Sequence, residues 1–311
     1  MIAIQINSFD GYKSLLFNEY FPKPFPKPDQ VLVEVYAAAL NPVDKSIAQG
    51  YLKDMIHLPA TLGGDFSGVI TEVGSSVSDF KVGDKVYGQA IILNGGSGTF
   101  AQFVAANAAN IAVQPDKISF AEAASLPLAG ASALQAIEGH IQLMQGQKIL
   151  IHGGAGGIGS LAVQIAKVHG AFVAATAAAK DKDYVKNLGA DLVIDYQSEK
   201  FEDMLKDYDA VFDTFSGDTT NKSLKVLKKG GIIVSMLGAV DKALADKFQV
   251  TAIGQMTNTL TKKLHRLTDL VNSGKVKPQV DKVFPIGKTI DAFNHLSTGH
   301  PRGKVVIKIK D

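Results

Sequence analysis

A glycine-rich turn between an apolar strand and a helix constrains this chain more than any other stretch. Residues 148–152 read Lys-Ile-Leu-Ile-His, an apolar run typical of a buried strand, and the glycine-rich residues 153–159 follow at once. From Ile158 onward apolar residues recur at helical spacing, and an apolar run at 172–176 predicts a second strand. Strand, glycine turn, helix and strand within about thirty residues is the pattern that binds dinucleotides.

Each glycine of the pattern Gly154-x-Gly156-x-x-Gly159 has its own physical reason. A side chain at the first would block the tight turn, one at the second would hold the backbone away from a pyrophosphate, and one at the third would push the helix off the sheet. The free N–H groups and the positive dipole end of the helix then face the phosphates. We therefore predict a cofactor-binding turn at Gly154, Gly156, Gly157, Ile158 and Gly159.

Composition narrows the class of protein. The chain has 311 residues, of which 46% are hydrophobic and 20% charged, enough for two domains or one large one with a sizeable core. Its formal net charge of +2 gives no reason to expect nucleic acid or an anionic membrane as a partner. The absence of cysteine excludes disulfides, thiol nucleophiles and cysteine-based metal sites. An N-terminus that resembles a strand, and the lack of a long apolar run, predict a cytoplasmic protein without a membrane-spanning segment.

Two kinds of pattern divide the chain. Residues 1–122 contain short runs of β-branched and alternating apolar residues, typical of a β domain. Ser119-Phe-Ala-Glu122 then has the spacing of a capping box and predicts a helix start. Five apolar runs follow, separated by helical stretches; they lie at 148–152, 171–176, 191–195, 209–213 and 231–236. That alternation predicts a doubly wound parallel sheet over residues 123–275, and we expect residues 276–311 to return to the first domain.

Short motifs are spread over nearly the whole chain. They are Asn41-Pro-Val-Asp44, Leu62-Gly-Gly-Asp-Phe-Ser-Gly-Val69, Val82-Gly-Asp-Lys-Val86, Leu126-Pro-Leu-Ala-Gly130, the glycine turn, Leu188-Gly-Ala190, Lys229-Gly-Gly231 and Gly299-His-Pro-Arg-Gly-Lys304. Together they resemble the medium-chain dehydrogenase/reductase superfamily, and within it the zinc-independent quinone oxidoreductases related to zeta-crystallin. The resemblance implies an α/β fold with a GroES-like β domain split around a Rossmann domain, an active site in the cleft between them, and a homodimer.

The residue types at the family's metal positions predict no metal. Zinc-dependent relatives hold a catalytic zinc with cysteine, histidine and a second cysteine, and the matching positions here are Asn41, Gly64 and Leu128. None of these is a plausible zinc ligand. A reaction without a Lewis acid favours an acceptor that spreads incoming charge over a conjugated oxygen. We therefore predict reduction of a small-molecule quinone, with reduction of the carbon–carbon double bond of an enone or alkenal as the alternative.

The end of the second parallel strand predicts the cofactor. An NAD site usually has a carboxylate there, on the ribose 2′-hydroxyl, but residues 172–179 contain no acid and Lys180 follows. As in the NADPH-using family, Thr176, Lys180 and Tyr196 are expected to contact a 2′-phosphate, so NADPH is the predicted cofactor. Two alternatives stay open: Lys180 is only a solvated lysine, or Asp181 reaches the ribose and favours NAD rather than lying at the next helix's N-terminus.

The resemblance also assigns residues to the reacting end of the cofactor. Asn41 is predicted to donate to the acceptor oxygen, and Asp44 to orient water or a neighbouring donor. The same two residues are equally compatible with a loop capped by Asn-Pro and Asp. Tyr51 is a third candidate, either as a phenolic donor or as a packing residue. None of these stands out as a dedicated general acid, so the proton is expected to come from water or the cofactor ribose.

Four further residues are expected beside the nicotinamide. Ser132 occupies a place where the family usually has threonine, whereas Leu134 departs from the tyrosine that relatives often carry there. Met236, Leu237 and Gly238 follow the fifth predicted parallel strand, and such sheets bind ligands at the carboxyl ends of their strands.

A function of another class is an NADPH-binding protein with an RNA-binding or structural role. The basic run Lys262, Lys263, His265 and Arg266 could serve RNA binding. Such a run on a helix is more commonly a solvated face.

Overall fold

The computed structural model describes residues 1–215, 217–236, 238, 240–298 and 300–311. Leu237, one of the residues predicted beside the nicotinamide, lies outside the described residues. Within the described part of the chain the strands are β1 (Ala3–Ile6), β2 (Leu16–Asn18), β3 (Gln30–Ala39), β4 (Ala60–Thr61), β5 (Asp65–Val73), β6 (Lys85–Gln89), β7 (Phe103–Asn107), β8 (Ile111–Val113), β9 (Lys148–Ile151), β10 (Phe172–Ala177), β11 (Leu192–Asp195), β12 (Tyr208–Asp213), β13 (Leu227–Ser235), β14 (Thr251–Gly254), β15 (Val280–Pro285) and β16 (Lys304–Lys308).

The α-helices connect these strands in chain order. They are α1 (Pro42–Ala48), α2 (Phe120–Ala124), α3 (Pro127–Leu134), α4 (Gly157–Val168), α5 (Lys182–Asn187), α6 (Phe201–Met204), α7 (Asp218–Ser223), α8 (Lys242–Phe248), α9 (Thr261–Asn272) and α10 (Thr289–Thr298). The predicted capping box at the start of α2 is confirmed. The backbone N–H of Ser119 donates to Glu122 Oε2 at 2.8 Å, and that of Glu122 donates to Ser119 Oγ at 3.2 Å.

The first compact unit is built on β3, the longest strand. β3 pairs antiparallel with β5, β7 and β16, in a sheet whose order among the described residues is β15-β16-β3-β5-β6-β8. Val31 and its neighbour Leu32 point to opposite faces of β3 and both are fully buried, so both faces of the strand are covered there. Val33 and Val35 are fully buried as well. β16 pairs beside the end of β3, so the C-terminal tail completes this unit.

The second compact unit contains a parallel sheet with the order β11-β10-β9-β12-β13-β14. The five predicted parallel strands are therefore confirmed, although the last begins earlier than predicted, at Leu227. β14 was missed, because Thr251–Gly254 is only four residues long and ends in glycine. The strand order reverses between β9 and β12, which is the point where doubly wound sheets bind ligands.

The boundaries of the two units differ from the predicted ones. The first unit comprises residues 1–128, 259–273 and 278–311, and the second comprises 129–258 and 274–277. The main correction is α9, which was predicted for the parallel-sheet domain but belongs to the first unit. The Tyr87 hydroxyl donates to Leu264 O at 2.6 Å, and the Thr261 hydroxyl donates to Ile111 O at 2.8 Å. These bonds join α9 to β6 and β8 of the first unit.

Candidate functional site

Three glycines of the turn after β9 meet different surroundings. A Cβ atom at Gly159 would lie 2.0 Å from Gly153 O, and one at Gly154 would lie 2.9 Å from the Ala175 side chain. A Cβ at Gly156 would meet only Gly153 O, at an ordinary 3.4 Å. The protein itself therefore requires glycine at 154 and 159. At Gly156 the protein leaves the space of a side chain open, so a ligand can approach the backbone closely there.

The start of α4 supplies unused backbone donors. Gly156 is the N-cap residue, and the first intrahelical bond runs from Ser160 N to Gly156 O at 2.9 Å. The N–H groups of Gly157, Ile158 and Gly159 therefore have no partner within the helix. The first turn of α4 carries no acidic residue that would repel an anion. Twelve aligned residues make this end of the helix suitable for a phosphate.

A cavity of about 210 Å³ lies in the second unit. Its lining includes His152, Thr176, Tyr196 and Phe215, which stand at or just after the ends of β9, β10, β11 and β12, respectively. Because the strands are parallel, these four carboxyl ends share one edge of the sheet. The cavity therefore lies at the carboxyl edge of the parallel sheet, the same edge from which the glycine turn leaves β9.

The floor of this cavity is a closed hydrogen-bond network around His152. Ser223 Oγ donates to Thr219 O at 2.7 Å, so it accepts from His152 Nε2 at 2.8 Å. Nδ1 then accepts from the Thr176 hydroxyl at 3.1 Å, and Thr176 Oγ1 accepts from the Gly153 N–H at 3.1 Å. Burial lowers the pKa of His152 to about 4, so the ring is neutral at physiological pH.

This network changes the expectation for Thr176. Its only hydroxyl hydrogen is donated to His152 and the side chain is buried, so it has none to offer a phosphate in this arrangement. Thr176 instead joins the end of β10 to the glycine turn. Its predicted phosphate contact stays a prediction.

The other residues predicted for the 2′-phosphate lie at the surface. Lys180 is exposed and is not part of the cavity lining, whereas Tyr196 lines it with 47% of its surface exposed. Asp181 is buried at the N-cap position of α5, which is the helix N-terminus where we expected it rather than the ribose of the alternative.

The residues predicted beside the nicotinamide are tied to one another. Ser132 Oγ is 2.8 Å from Thr257 Oγ1 and fully buried, and Gln255 Nε2 donates to Ser132 O at 3.0 Å. Met236 is half-buried just after β13, and Gln255 Nε2 lies 3.3 Å from its Sδ. Gly238 has a φ of +129°, which favours glycine. Sequence reasoning missed Gln255, because a single glutamine gives no periodic signal.

In the first unit, Asn41 belongs to a buried polar cluster rather than an open surface. Asn41 Nδ2 donates to Asp65 Oδ2 at 3.0 Å, and its N–H donates to Asp44 Oδ2 at 2.7 Å. The Lys304 ammonium donates to Asn41 Oδ1 and, at 2.6 Å, to Leu40 O, and it lies 3.7 Å from Asp65 Oδ2. The amide orientation of Asn41 is thus fixed from both ends, with one Nδ2 hydrogen left over.

The charges of this cluster do not balance when both carboxyls are ionised. Asp44, Asp65 and Lys304 are all buried, and two carboxylates face one ammonium. Burial raises the pKa of Asp44 to about 7 and also raises that of Asp65, against the lowering effect of Lys304. Burial likewise lowers the pKa of Lys304. One proton on Asp44 makes the cluster neutral. Because the pKa of Asp44 is about 7, the carboxyl keeps this proton up to about neutral pH.

The structure gives the catalytic candidates unequal surroundings. Asp44 stands at the start of α1, where it accepts the Asn41 N–H in the manner of a helix cap, so the capping interpretation of these two residues has direct geometric support. Tyr51 is 77% exposed and does not pack in the core. Asp65 and Lys304 were missed as site residues. Both belong to motifs that carried the family resemblance, and motif membership was the signal that could have found them.

The residues at the family's zinc positions do not form a zinc site. Asn41 is held by Asp65 and Lys304, Gly64 has no side chain, and Leu128 contributes a backbone N–H to Asp65 Oδ1 at 3.2 Å. In residues 1–215, 217–236, 238, 240–298 and 300–311, no group of three His, Cys, Asp or Glu side chains could hold a metal ion. The donor set therefore does not fit zinc.

The basic run on α9 lies on an amphipathic helix. Leu264, Leu267 and Leu270 are buried, while Lys262 and His265 are exposed. This is the arrangement of a surface helix with one solvated face. Across the described residues, none of the helices is both long and apolar enough to span a bilayer.

Two models of known protein families match this chain. The model described as alcohol dehydrogenase GroES-like domain matches residues 27–116, and the model described as zinc-binding dehydrogenase matches residues 188–307. The second description names a metal, yet Asn41, Gly64 and Leu128, the residues at the family's zinc positions, are not zinc ligands.

Whole-chain relatives extend these matches. The chloroplastic NADPH-dependent alkenal/one oxidoreductase of Arabidopsis thaliana is 41% identical, over 99% of this chain and 79% of its own length. The 2-methylene-furan-3-one reductase of Solanum lycopersicum is 43% identical, over 90% of this chain and 72% of its own length. The solved structure of the quinone oxidoreductase from Coxiella burnetii superposes with a TM-score of 0.91 and 36% identity, covering 100% of this chain and 99% of that one.

Proposed function

Because the chain belongs to the zinc-independent quinone oxidoreductase branch of the medium-chain dehydrogenase/reductase superfamily, we propose that it transfers hydride from NADPH to a quinone. The observation that carries the proposal is the glycine turn and α4 beside a cavity at the carboxyl ends of β9 to β12, with no carboxylate at the end of β10. Bound NADPH supplies the hydride.

The second unit provides the groups that hold the cofactor. The N–H groups of Gly157, Ile158 and Gly159 are available to the pyrophosphate. The cavity accepts the adenosine end, which in a doubly wound sheet lies on the side of the glycine turn. Ser132, Met236, Leu237 and Gly238 remain the residues proposed beside the nicotinamide.

The first unit provides the groups proposed for the acceptor. Lys304 and Asp65 fix the Asn41 amide, which leaves one Nδ2 hydrogen for the acceptor oxygen. A fixed donor of this kind stabilises charge that develops as hydride arrives. Asp44 and Tyr51 stay proposed neighbours of the acceptor. The balancing proton comes from water or the cofactor ribose, and the quinone leaves as hydroquinone.

Reduction of a conjugated carbon–carbon double bond is the second candidate. It is favoured by the two plant relatives, which are named as an alkenal/one oxidoreductase and a 2-methylene-furan-3-one reductase. The same hydride delivery would then end at the β-carbon of the enone, with a proton added at the α-carbon.

The test is consumption of NADPH by the purified protein with a simple quinone and, in parallel, a short-chain enone, with NADH as control. Turnover of the quinone supports the proposal, and turnover of the enone alone selects the second candidate. Tight NADPH binding without turnover of either acceptor would contradict both. RNA affinity that falls with salt would then support the binding-protein alternative.

The cellular location and assembly are also proposals. We expect a cytoplasmic homodimer, whereas one plant relative is named as chloroplastic. Cell fractionation and the mass of the purified protein by light scattering test these two expectations separately.

A further inference from the structure

A hydrogen-bonded series of three side chains runs from α7 to the start of the glycine turn. Ser223 Oγ on α7 accepts the Nε2–H of His152 at 2.8 Å, and Nδ1 of the same ring accepts the Thr176 hydroxyl at 3.1 Å. Thr176 Oγ1 accepts the Gly153 N–H at 3.1 Å, and Thr176 O accepts the Gly154 N–H at 2.9 Å. Thr176 therefore holds the first two residues of the turn, and the ring of His152 holds Thr176.

The orientation of Gly153 decides the shape of the rest of the turn. Gly153 O accepts the Gly156 N–H at 3.0 Å, and a Cβ at Gly159 would lie only 2.0 Å from the same oxygen. Gly153 has a φ of +69°, and glycine has the widest choice of backbone conformations, so its partners must fix its peptide. The open space at Gly156 and the available N–H groups of α4 thus depend on the contact between Gly153 and Thr176.

The ring of His152 must be neutral to hold Thr176 in this way, because only an unprotonated Nδ1 accepts a hydroxyl hydrogen. Burial lowers the pKa of His152 to about 4. The negative charges of Asp213 and Glu202 act in the opposite direction, since they favour the charged ring. Lys222 Nζ lies 3.7 Å from Glu202 and reduces its effect. The ring is therefore neutral at physiological pH, with its hydrogen on Nε2.

We propose that His152 is a positioning residue for cofactor binding: through Thr176 it keeps the glycine turn in the shape that binds the pyrophosphate of NADPH. This role rests on the proposed function and deepens it. A turn that already has its binding shape does not have to be ordered when the cofactor arrives, and this preserves affinity. Because NADPH and NADH share the pyrophosphate, His152 should affect the binding of both equally.

The first experiment measures the affinity of the full chain for NADPH by calorimetric titration, and for NADH by displacement of NADPH. His152→Leu lacks both ring bonds and should weaken the two nucleotides by the same factor, about tenfold, as expected for one to two buried hydrogen bonds. His152→Asn should recover part of the loss, because its Oδ1 can accept the Thr176 hydroxyl. In turnover with a simple quinone, the KM for NADPH should rise while kcat stays nearly unchanged.

A double variant tests whether His152 acts through Thr176. Thr176→Val removes the hydroxyl and should weaken both nucleotides by a factor similar to that of His152→Leu. Combining the two changes should add little further loss, because both break the same series of bonds. His265→Leu removes an exposed imidazole of the first unit and should leave both affinities unchanged. Circular dichroism confirms that each variant is folded, and Thr176→Val with His152→Asn provides the comparison if the leucine variant is not.

Nitrogen-15 NMR reads the state of the ring directly. The signals of His152 are those that disappear in His152→Asn. They should be those of the neutral ring with its hydrogen on Nε2, and they should not titrate between about pH 5 and pH 8. A ring that becomes charged in this range could not hold Thr176, which would overturn the proposal.

Four other results would also contradict this role. Loss of NADPH affinity with NADH affinity unchanged would assign the network to the 2′-phosphate instead. Additive losses in the double variant would show that His152 does not act through Thr176. Unchanged affinities in His152→Leu, with only the stability lowered, would show a purely structural role. Failure of the wild type to bind either nucleotide would contradict the proposed function and, with it, the role of His152.

Discussion

Gly159 has the closest backbone approach in the glycine turn. A Cβ atom there would lie 2.0 Å from the Gly153 carbonyl oxygen, an atom that cannot move without opening the turn. Gly159→Ala should therefore lower the free energy of unfolding by about 2 kcal/mol and weaken nucleotide binding. Denaturant unfolding and nucleotide titration measure the two effects.

Gly139 provides the control for that substitution. A Cβ atom at Gly139 meets nothing within 4 Å, and its backbone angle is not restricted to glycine. Gly139→Ala should change stability by less than about 1 kcal/mol. A similar loss in both variants would show that the turn has no special steric requirement.

Asp44 makes stability depend on pH in an uncommon direction. Its folded pKa of about 7 lies above the reference value of 3.8, because the carboxyl is buried. The folded protein therefore holds a proton that the unfolded chain releases, so this group's contribution is fully present below pH 4 and is lost as pH rises through about 7.

Asp44→Asn should remove this dependence, because its amide oxygen can still accept the Asn41 N–H. The stability of the variant relative to wild type should increase between pH 5 and pH 8, by on the order of 3 kcal/mol at most. Urea unfolding at the two pH values measures it. Asp54→Asn removes an exposed carboxyl of the same unit and serves as the control. A constant difference across this range would contradict the buried proton.

At the scale of elements, the α9 helix is held by the Tyr87 hydroxyl on β6. This hydroxyl is buried and donates to Leu264 O at 2.6 Å. Tyr87→Phe should cost about 1–2 kcal/mol, because the carbonyl loses its buried partner. Tyr12→Phe, which removes an exposed hydroxyl 3.2 Å from Asn294 Oδ1, should cost less than about 0.5 kcal/mol. Equal losses in thermal unfolding would contradict the anchoring role.

The sequence predicted the strands and helices better than it predicted which of them pack together. β9 to β13 and α4 were predictable because apolar period and glycine punctuation are local signals. The apolar stripe of α9 shows that one face is buried but does not say against which sheet, so its unit was assigned wrongly. Motif membership could have marked Lys304 and Asp65 as site residues, but not their partners, since the Lys304–Asn41 contact joins residues 263 positions apart.

At the scale of the whole molecule, Lys304 links three separate parts of the first unit. It joins β16 to the residues after β3 and to Asp65 at the start of β5. Lys304→Met should cost about 3–5 kcal/mol, since it leaves a buried carboxylate and two carbonyl oxygens without their cation.

A double variant separates charge from packing. Lys304→Met with Asp65→Asn removes both charges and should recover part of the loss, so the two changes should be clearly non-additive in unfolding free energy. Strict additivity would show that the ammonium and the carboxylate do not interact.

The position of β16 in the chain also governs the order in which the nascent protein can mature on the ribosome. Every residue of the second unit is synthesised before β16, whereas β3, made early, must wait for β16 to complete its sheet. Domains generally fold as units and the N-terminal one usually folds first. Here the parallel-sheet unit can fold while the first unit still lacks a strand, so we expect the nucleotide-binding half to be folded before the half that contains β3.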